Sequence, residues 1–140
     1  MKILLAADGS KYTKKALAFL VANEGLCGGD DEIVVFNVQP AVPPRVKTML
    51  GAAALNEYHR EEARKVLDPI ERFMNRHELR FRTAWAVGWA PAELLAAAKR
   101  EKSQLIVMGT HGHGIIGRAL MGSVAQRVVT DGELPVLLVK

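Results

Sequence analysis

The sequence predicts a three-layer α/β fold with a parallel sheet between two sets of helices, and three observations predict it. The runs Ile3-Leu4-Leu5-Ala6-Ala7 and Leu105-Ile106-Val107-Met108 are continuously apolar. A strand wetted on one face alternates, whereas a continuous run suits a strand covered on both faces. Such runs also alternate with segments of helical period to the end of the chain, the signature of right-handed strand–helix–strand crossovers. Finally, the chain has 140 residues, of which 49% are hydrophobic. That is enough for one core, and two domains would each be too small to bury one well, so residues 1–140 are expected to form a single domain.

Taken in order, strands are expected at residues 2–7, 32–38, 80–87, 104–109 and 135–139. The first helix, over residues 11–24, carries Ala16, Leu17, Leu20 and Val21 on one side, with Ser10 as N-cap. The second, over residues 55–77, repeats at Ala63, Val66, Leu67, Ile70 and Met74, with Arg and Glu opposite. The third, over residues 90–100, opens on Pro91, which suits a first helical turn, and continues through an Ala-rich run. The last, over residues 123–130, begins with Ser123-Val124-Ala125-Gln126, the pattern of a capping box. Residues 39–53 contain Pro40, Pro43, Pro44 and Gly51 and are expected to be a long loop, either a functional lid or a disordered insert.

Composition excludes several classes of function. The net charge is +4, without any run of five basic residues, so the cations are expected to be solvated helix faces rather than a nucleic-acid footprint. A modest positive field favours small anionic ligands. The single cysteine, Cys27, rules out a disulfide within the chain and is expected to be a half-buried apolar filler. The N-terminal apolar run is short and interrupted by Asp8, and no window of about 18 apolar residues occurs, so a soluble cytoplasmic protein without a membrane partner is expected.

The chemistry concentrates in residues 108–123, Met-Gly-Thr-His-Gly-His-Gly-Ile-Ile-Gly-Arg-Ala-Leu-Met-Gly-Ser, which follow a buried strand and lead into a helix. Glycines let backbone amides approach an anion closely, and the helix start adds unpaired amides and the positive end of its dipole. Together these features make a phosphate site. Asp8, after the first strand, would meet a ribose hydroxyl or a phosphate-bound metal if the first and fourth strands are neighbours.

Two standard motifs fail here. A Walker A loop needs a Lys that this segment lacks. The pattern Gly112-x-Gly114-x-x-Gly117 does occur, but after the fourth strand and without an acidic residue closing the next one, so it is read as loop geometry. His111 and His113, two residues apart without a supporting carboxylate, are expected to make loop contacts rather than to bind metal. Ser10 has no evident His–acid partner, His59 and His77 are expected at the surface or flank of their helix, and Trp85 is expected to pack.

The spacing Gly109-x2-Gly112-x9-Gly122-Ser123 resembles the signature of ATP-binding members of the universal stress protein (UspA) family. The resemblance continues in the Asp8-Gly9-Ser10 turn, in Gly88-x-x-Pro91-Ala92, in residues 105–112 (Leu-Ile-Val-Met-Gly-Thr-His-Gly) and in the closing Pro-Val-Leu-Leu-Val. It implies an open five-stranded parallel sheet of order 3-2-1-4-5, Rossmann-like and of the adenine nucleotide alpha hydrolase-like kind. It also implies ATP, with Mg²⁺ held at Asp8. Val38 would hold the adenine with Ala6 and Ala7 nearby; Met108, Gly109 and Gly112 would line the ribose and phosphates; Gly122, Ser123 and Val124 would close on the phosphates.

His113 falls in the same loop, where many members carry Arg or Lys. Ala6 and Ala7 are smaller than the family's usual residues. The resemblance implies a stress-response or signalling module that homodimerises through its last strand, residues 135–139. The alternatives are a slow ATPase or phosphotransfer enzyme, or the same fold binding AMP or a cyclic nucleotide; among side chains near the phosphates only Asp8 is a carboxylate, so no catalytic residue is assigned.

Overall fold

The computed structural model describes residues 1–113 and 121–140; Gly114 and Gly117 of the weaker glycine pattern lie outside the described residues. Five strands form one sheet: β1 (Lys2–Ala6), β2 (Glu32–Gln39), β3 (Phe81–Val87), β4 (Leu105–Gly109) and β5 (Val136–Val139). Their order is β3-β2-β1-β4-β5, and every pairing is parallel. The expected three-layer architecture and strand order are therefore observed. β1 sits at the centre, with Leu4 opposite Val34 on one side and Ile106 on the other. Its residues Ile3, Leu4 and Leu5 are fully buried, as continuous apolar runs require.

The helices divide between the faces by their apolar stripes. α1 (Lys11–Ala22) and α3 (Ala52–Arg76) cover one face, where Ala16, Leu17, Leu20, Ala63, Leu67 and Met74 pack on Ile3, Leu5, Ile33 and Val35. α4 (Ala90–Arg100) and α5 (Ser123–Asp131) cover the other, where Leu94, Ala97, Ala98 and Val128 pack on Leu4, Val34, Phe36 and Ile106. Trp85 and Cys27 pack against the first core as expected, and burial pushes the Cys27 thiol up from its ordinary range. No helix among the described residues is long and apolar enough to cross a membrane.

Several local expectations need correction. Residues 39–53 are not a loop: β2 runs to Gln39, a short helix α2 (Pro44–Leu50) follows, and α3 begins at Ala52. Pro44 occupies a first-turn position, where its missing amide costs nothing, and Gly51 at φ 77° breaks the two helices apart. The run Ala52-Ala53-Ala54 then extends α3 ahead of the expected start at Leu55. α1 stops at Ala22, two residues early, and Glu24–Leu26 form a 3₁₀ turn. His59 is buried, not at the surface, because it continues the Ala63–Leu67 stripe one turn earlier; its Nδ1 lacks a hydrogen-bond partner among the described residues. His77 is exposed and packs against Phe73 in a tilted arrangement, with ring centroids 4.6 Å apart.

Candidate functional site

The central position of β1 makes the site. Because β1 pairs with both β2 and β4, the turns after β1 and β4 open on one crevice at the carboxyl ends of the strands. A cavity of about 290 Å³ lies there. All eleven residues proposed from the sequence line it: Ala6, Ala7, Asp8, Val38, Met108, Gly109, Gly112, His113, Gly122, Ser123 and Val124. Thr13, Ala90, Leu94, His111 and Ala125 also line it and were not anticipated as site residues. Thr13 was detectable in principle, since a threonine in the first turn after an Asp-Gly-Ser turn is placed to bond back to the aspartate.

The cavity has two chemically distinct ends. Ala6, Ala7, Val38, Ala90 and Leu94 supply an apolar end, which suits a flat heterocycle. The backbone there is fixed: the Ala7 amide donates to the Phe36 carbonyl at 3.0 Å, and the buried Asn37 side chain donates to the Ala7 carbonyl at 2.8 Å. The other end is polar and made mostly of main chain, from Gly109, Gly112, Gly122 and the first turn of α5.

The start of α5 differs from expectation in a way that matters chemically. The N-cap is Gly122, in extended conformation, and Ser123 is the first helical residue, without a capping bond from its side chain. The Gln126 amide donates to the Gly122 carbonyl at 3.0 Å instead. The capping-box pattern is thus one residue out of register, and the Ser123 hydroxyl is not spent on a capping bond. Gly122 is anchored by its own amide, which donates to the Thr110 carbonyl at 2.6 Å. Amides in the first turn of any helix have no intrahelical acceptor, and here those of Ser123 and Val124 belong to residues that line the cavity.

The glycines are required by the protein itself as well as by any ligand. A β-carbon at Gly109 would fall onto the Tyr12 β-carbon. One at Gly112 would lie 2.5 Å from Asp8 Oδ2, and one at Gly122 would press on the Thr110 carbonyl and the His111 α-carbon at 3.2 Å. The long spacing therefore records three close approaches: those at Gly109 and Gly112 bring the β4 turn against α1 and the β1 turn, and that at Gly122 folds the start of α5 back onto the turn after β4.

Asp8 organises that meeting. Its Oδ1 accepts from the Ser10 amide at 2.9 Å and the Thr13 hydroxyl at 2.9 Å, which fixes the Asp-Gly-Ser turn. Gly9 holds the left-handed conformation that the turn needs, at φ 79°. Ser10 takes the N-cap position of α1 as expected, but its hydroxyl makes no capping bond. The two loop histidines make local contacts: His113 Nε2 donates to the Asp8 carbonyl at 2.6 Å, and His111 Nδ1 lies 2.9 Å from the Thr110 hydroxyl while its ring packs on Tyr12. Among the described residues no group of three His, Cys, Asp or Glu is gathered as a metal site.

The model of the universal stress protein family matches residues 1–140. The Thermus aquaticus universal stress protein in QAH/OAS sulfhydrylase 3'region is 35% identical over 139 residues, spanning 99% of this chain and 97% of that one. The solved structure of MJ0577, from Methanocaldococcus jannaschii, superposes with a TM-score of 0.83 at 27% identity, covering 99% of this chain and 94% of that chain. The universal stress protein from Archaeoglobus fulgidus in complex with dAMP shares the fold, with a TM-score of 0.68 at 21% identity over 100% of this chain and 98% of that one.

Proposed function

The chain belongs to the universal stress protein family, and from that premise we propose that it binds an adenine nucleotide, ATP by preference, in the cavity at the ends of β1 and β4. The observation that carries this reading is the pairing of an apolar end with a main-chain polar end in one cavity. The base would rest against Val38, Ala6 and Ala7. The phosphates would take the amides of Ser123 and Val124 and the Ser123 hydroxyl, with Gly109, Gly112 and Met108 along the ribose and His113 at the polar rim. The dAMP held by the Archaeoglobus fulgidus protein supports the ligand class and leaves the number of phosphates to experiment.

The donor set also fits Mg²⁺ carried on the phosphates. Mg²⁺ at nucleotide sites is held by one or two carboxylates, phosphate oxygens and water. Asp8 is the carboxylate in this lining, and its Oδ1 is already engaged, which leaves Oδ2 for the ion. The ion would neutralise phosphate charge, and Asp8 and Ser123 would orient it and its ligand.

The same facts favour sensing over turnover. A slow ATPase needs a group to orient or deprotonate water, and the one carboxylate among the described lining residues holds the Asp8–Thr13 turn together. We therefore read the protein as a cytoplasmic stress-response or signalling module whose contacts depend on bound nucleotide. Its half-buried edge strand β5 would serve as the homodimer surface.

Calorimetric titration with ATP, AMP and cyclic AMP, with and without Mg²⁺, tests the reading, together with an assay for released phosphate. Saturable one-to-one binding of ATP without release supports it. Release at a steady rate would favour the enzyme, and failure of all three nucleotides to bind would overturn the nucleotide assignment.

A further inference from the structure

The two faces of the sheet are covered differently. On one, α4 and α5 pack on each other. On the other, α1 lies over β4 and β5 while α3 lies over β2 and β3, so the two helices straddle β1 and scarcely touch. The gap between them is a second cavity of about 650 Å³, within the range of small-molecule sites.

Its wall from α3 is one face of the helix, Glu62, Lys65, Val66, Pro69, Ile70, Phe73 and Arg76, which recur about once per turn as neighbours or single residues. This stripe flanks the buried one (Ala63, Leu67, Met74) and is apolar through its middle, although Val66 and Phe73 are only half-buried and Pro69 is exposed. Leu17 faces it from α1. Pro69 lies inside the helix and has no amide to give the Lys65 carbonyl, so the wall also carries a weakened point in the helical ladder.

Charge is distributed unevenly along this wall. Both acidic groups in the lining sit toward the seam with the nucleotide cavity, beside two lysines of the lining: Glu62 pairs with Lys65 at 2.7 Å, Asp8 is engaged in its own turn, and Lys14 is exposed on α1. The far end carries Arg76, exposed on the last turn of α3 beside Phe73 and without an ion pair among the described residues. From Arg76 to Val66 is ten residues of helix, about 15 Å. An elongated apolar wall with an unpaired guanidinium at its far end is complementary to a linear amphipathic anion, because Arg takes a carboxylate through two parallel hydrogen bonds whereas the lysines at the seam end present single point charges.

We propose that the cavity between α1 and α3 is a second ligand site, which takes a medium-chain aliphatic carboxylate with its head on Arg76 and its tail along Phe73, Ile70, Val66 and Leu17. The site shares Asp8, Thr13 and His113 with the nucleotide cavity but does not depend on nucleotide binding.

The test is calorimetric titration of the full chain with octanoate below its micelle concentration, against octan-1-ol as the neutral control. Saturable one-to-one binding of octanoate is expected, at least tenfold tighter than octanol. Arg76→Glu, at an exposed position, should weaken octanoate at least tenfold, whereas Arg76→Lys, which keeps the charge but loses the two-pronged geometry, should weaken it less than Arg76→Glu does. Val66→Trp, which fills the middle of the cavity, should abolish octanoate binding and leave the AMP affinity unchanged, with circular dichroism confirming the fold. Absence of saturable octanoate binding, equal binding of octanol, or wild-type affinity in Arg76→Glu would each overturn the proposal. An effect of Val66→Trp on AMP alone would overturn it while leaving the nucleotide reading intact.

Discussion

The cavity at the strand ends and the cavity between α1 and α3 share a wall at Asp8, Thr13 and His113, yet they are built from different material. The polar end of the first is shaped by main chain: three glycines, the start of α5 and the β1 turn. The second is shaped by side chains projecting from two helices. A main-chain site tolerates no added atoms, because the atoms it would displace are held by the fold. A side-chain site can be filled or recharged while the fold survives.

The sharpest way to break this comparison is Gly109→Val. Its branched side chain must displace the Tyr12 β-carbon, buried on the first turn of α1, so the change should cost about 1–3 kcal/mol in denaturant unfolding or more. If Gly109→Val unfolds like the wild type, the strand-end site is not the rigid main-chain structure described. A similar reservation attaches to Gly122→Val. The sequence alone suggests that this change blocks phosphate and spares the fold, but the 3.2 Å approaches to the Thr110 carbonyl and the His111 α-carbon mean that it should perturb both.

Val38→Trp separates ligand from fold more cleanly. Val38 is half-buried at the apolar end, and a larger ring there should occupy the space of the base. AMP affinity is expected to fall at least tenfold by calorimetry, a loss of about 1.4 kcal/mol or more. Unchanged affinity would mean that the base lies elsewhere.

The smallest expected effect lies away from both cavities and calibrates them. Glu71 on α3 accepts from the Thr83 hydroxyl at 2.6 Å and from Arg64 at 2.8 Å, and these bonds hold its carboxyl below the ordinary range. A carboxylate depressed in the folded state adds stability above its unfolded value and loses it as pH falls through the folded one. Glu71→Gln should therefore cost at most about 1 kcal/mol at neutral pH, with the difference fading on acidification, because solvent screens the pair. Denaturation midpoints at pH 7 and pH 3 measure this, and a cost that grew on acidification would contradict it.

The same distinction explains how much could be read from sequence. The sheet was legible because continuous apolar runs at Ile3–Leu5 and Leu105–Met108 leave few alternatives, and the strand order came from the family resemblance. The site was legible where it is made of backbone, since Gly109, Gly112 and Gly122 mark close approaches by their lack of a side chain. Ser123 was misplaced by one position because its capping-box pattern sits directly after Gly122, and glycine is also accepted at N-caps. The helix in residues 44–50 was hidden by prolines that mark loops and first helical turns alike. Leu94 and the stripe on α3 were invisible as lining, because only the placement of α3 and α4 on the sheet brings them to a cavity.

The central claim is that adenine nucleotide binds with its phosphates on the start of α5 and its base at Val38. Amide chemical shifts recorded during an AMP titration test it most directly. The largest changes should fall on Ser123, Val124 and Gly112, with smaller ones at Val38 and Ala7. Changes confined to α1 and α3, or none at saturating AMP, would contradict it.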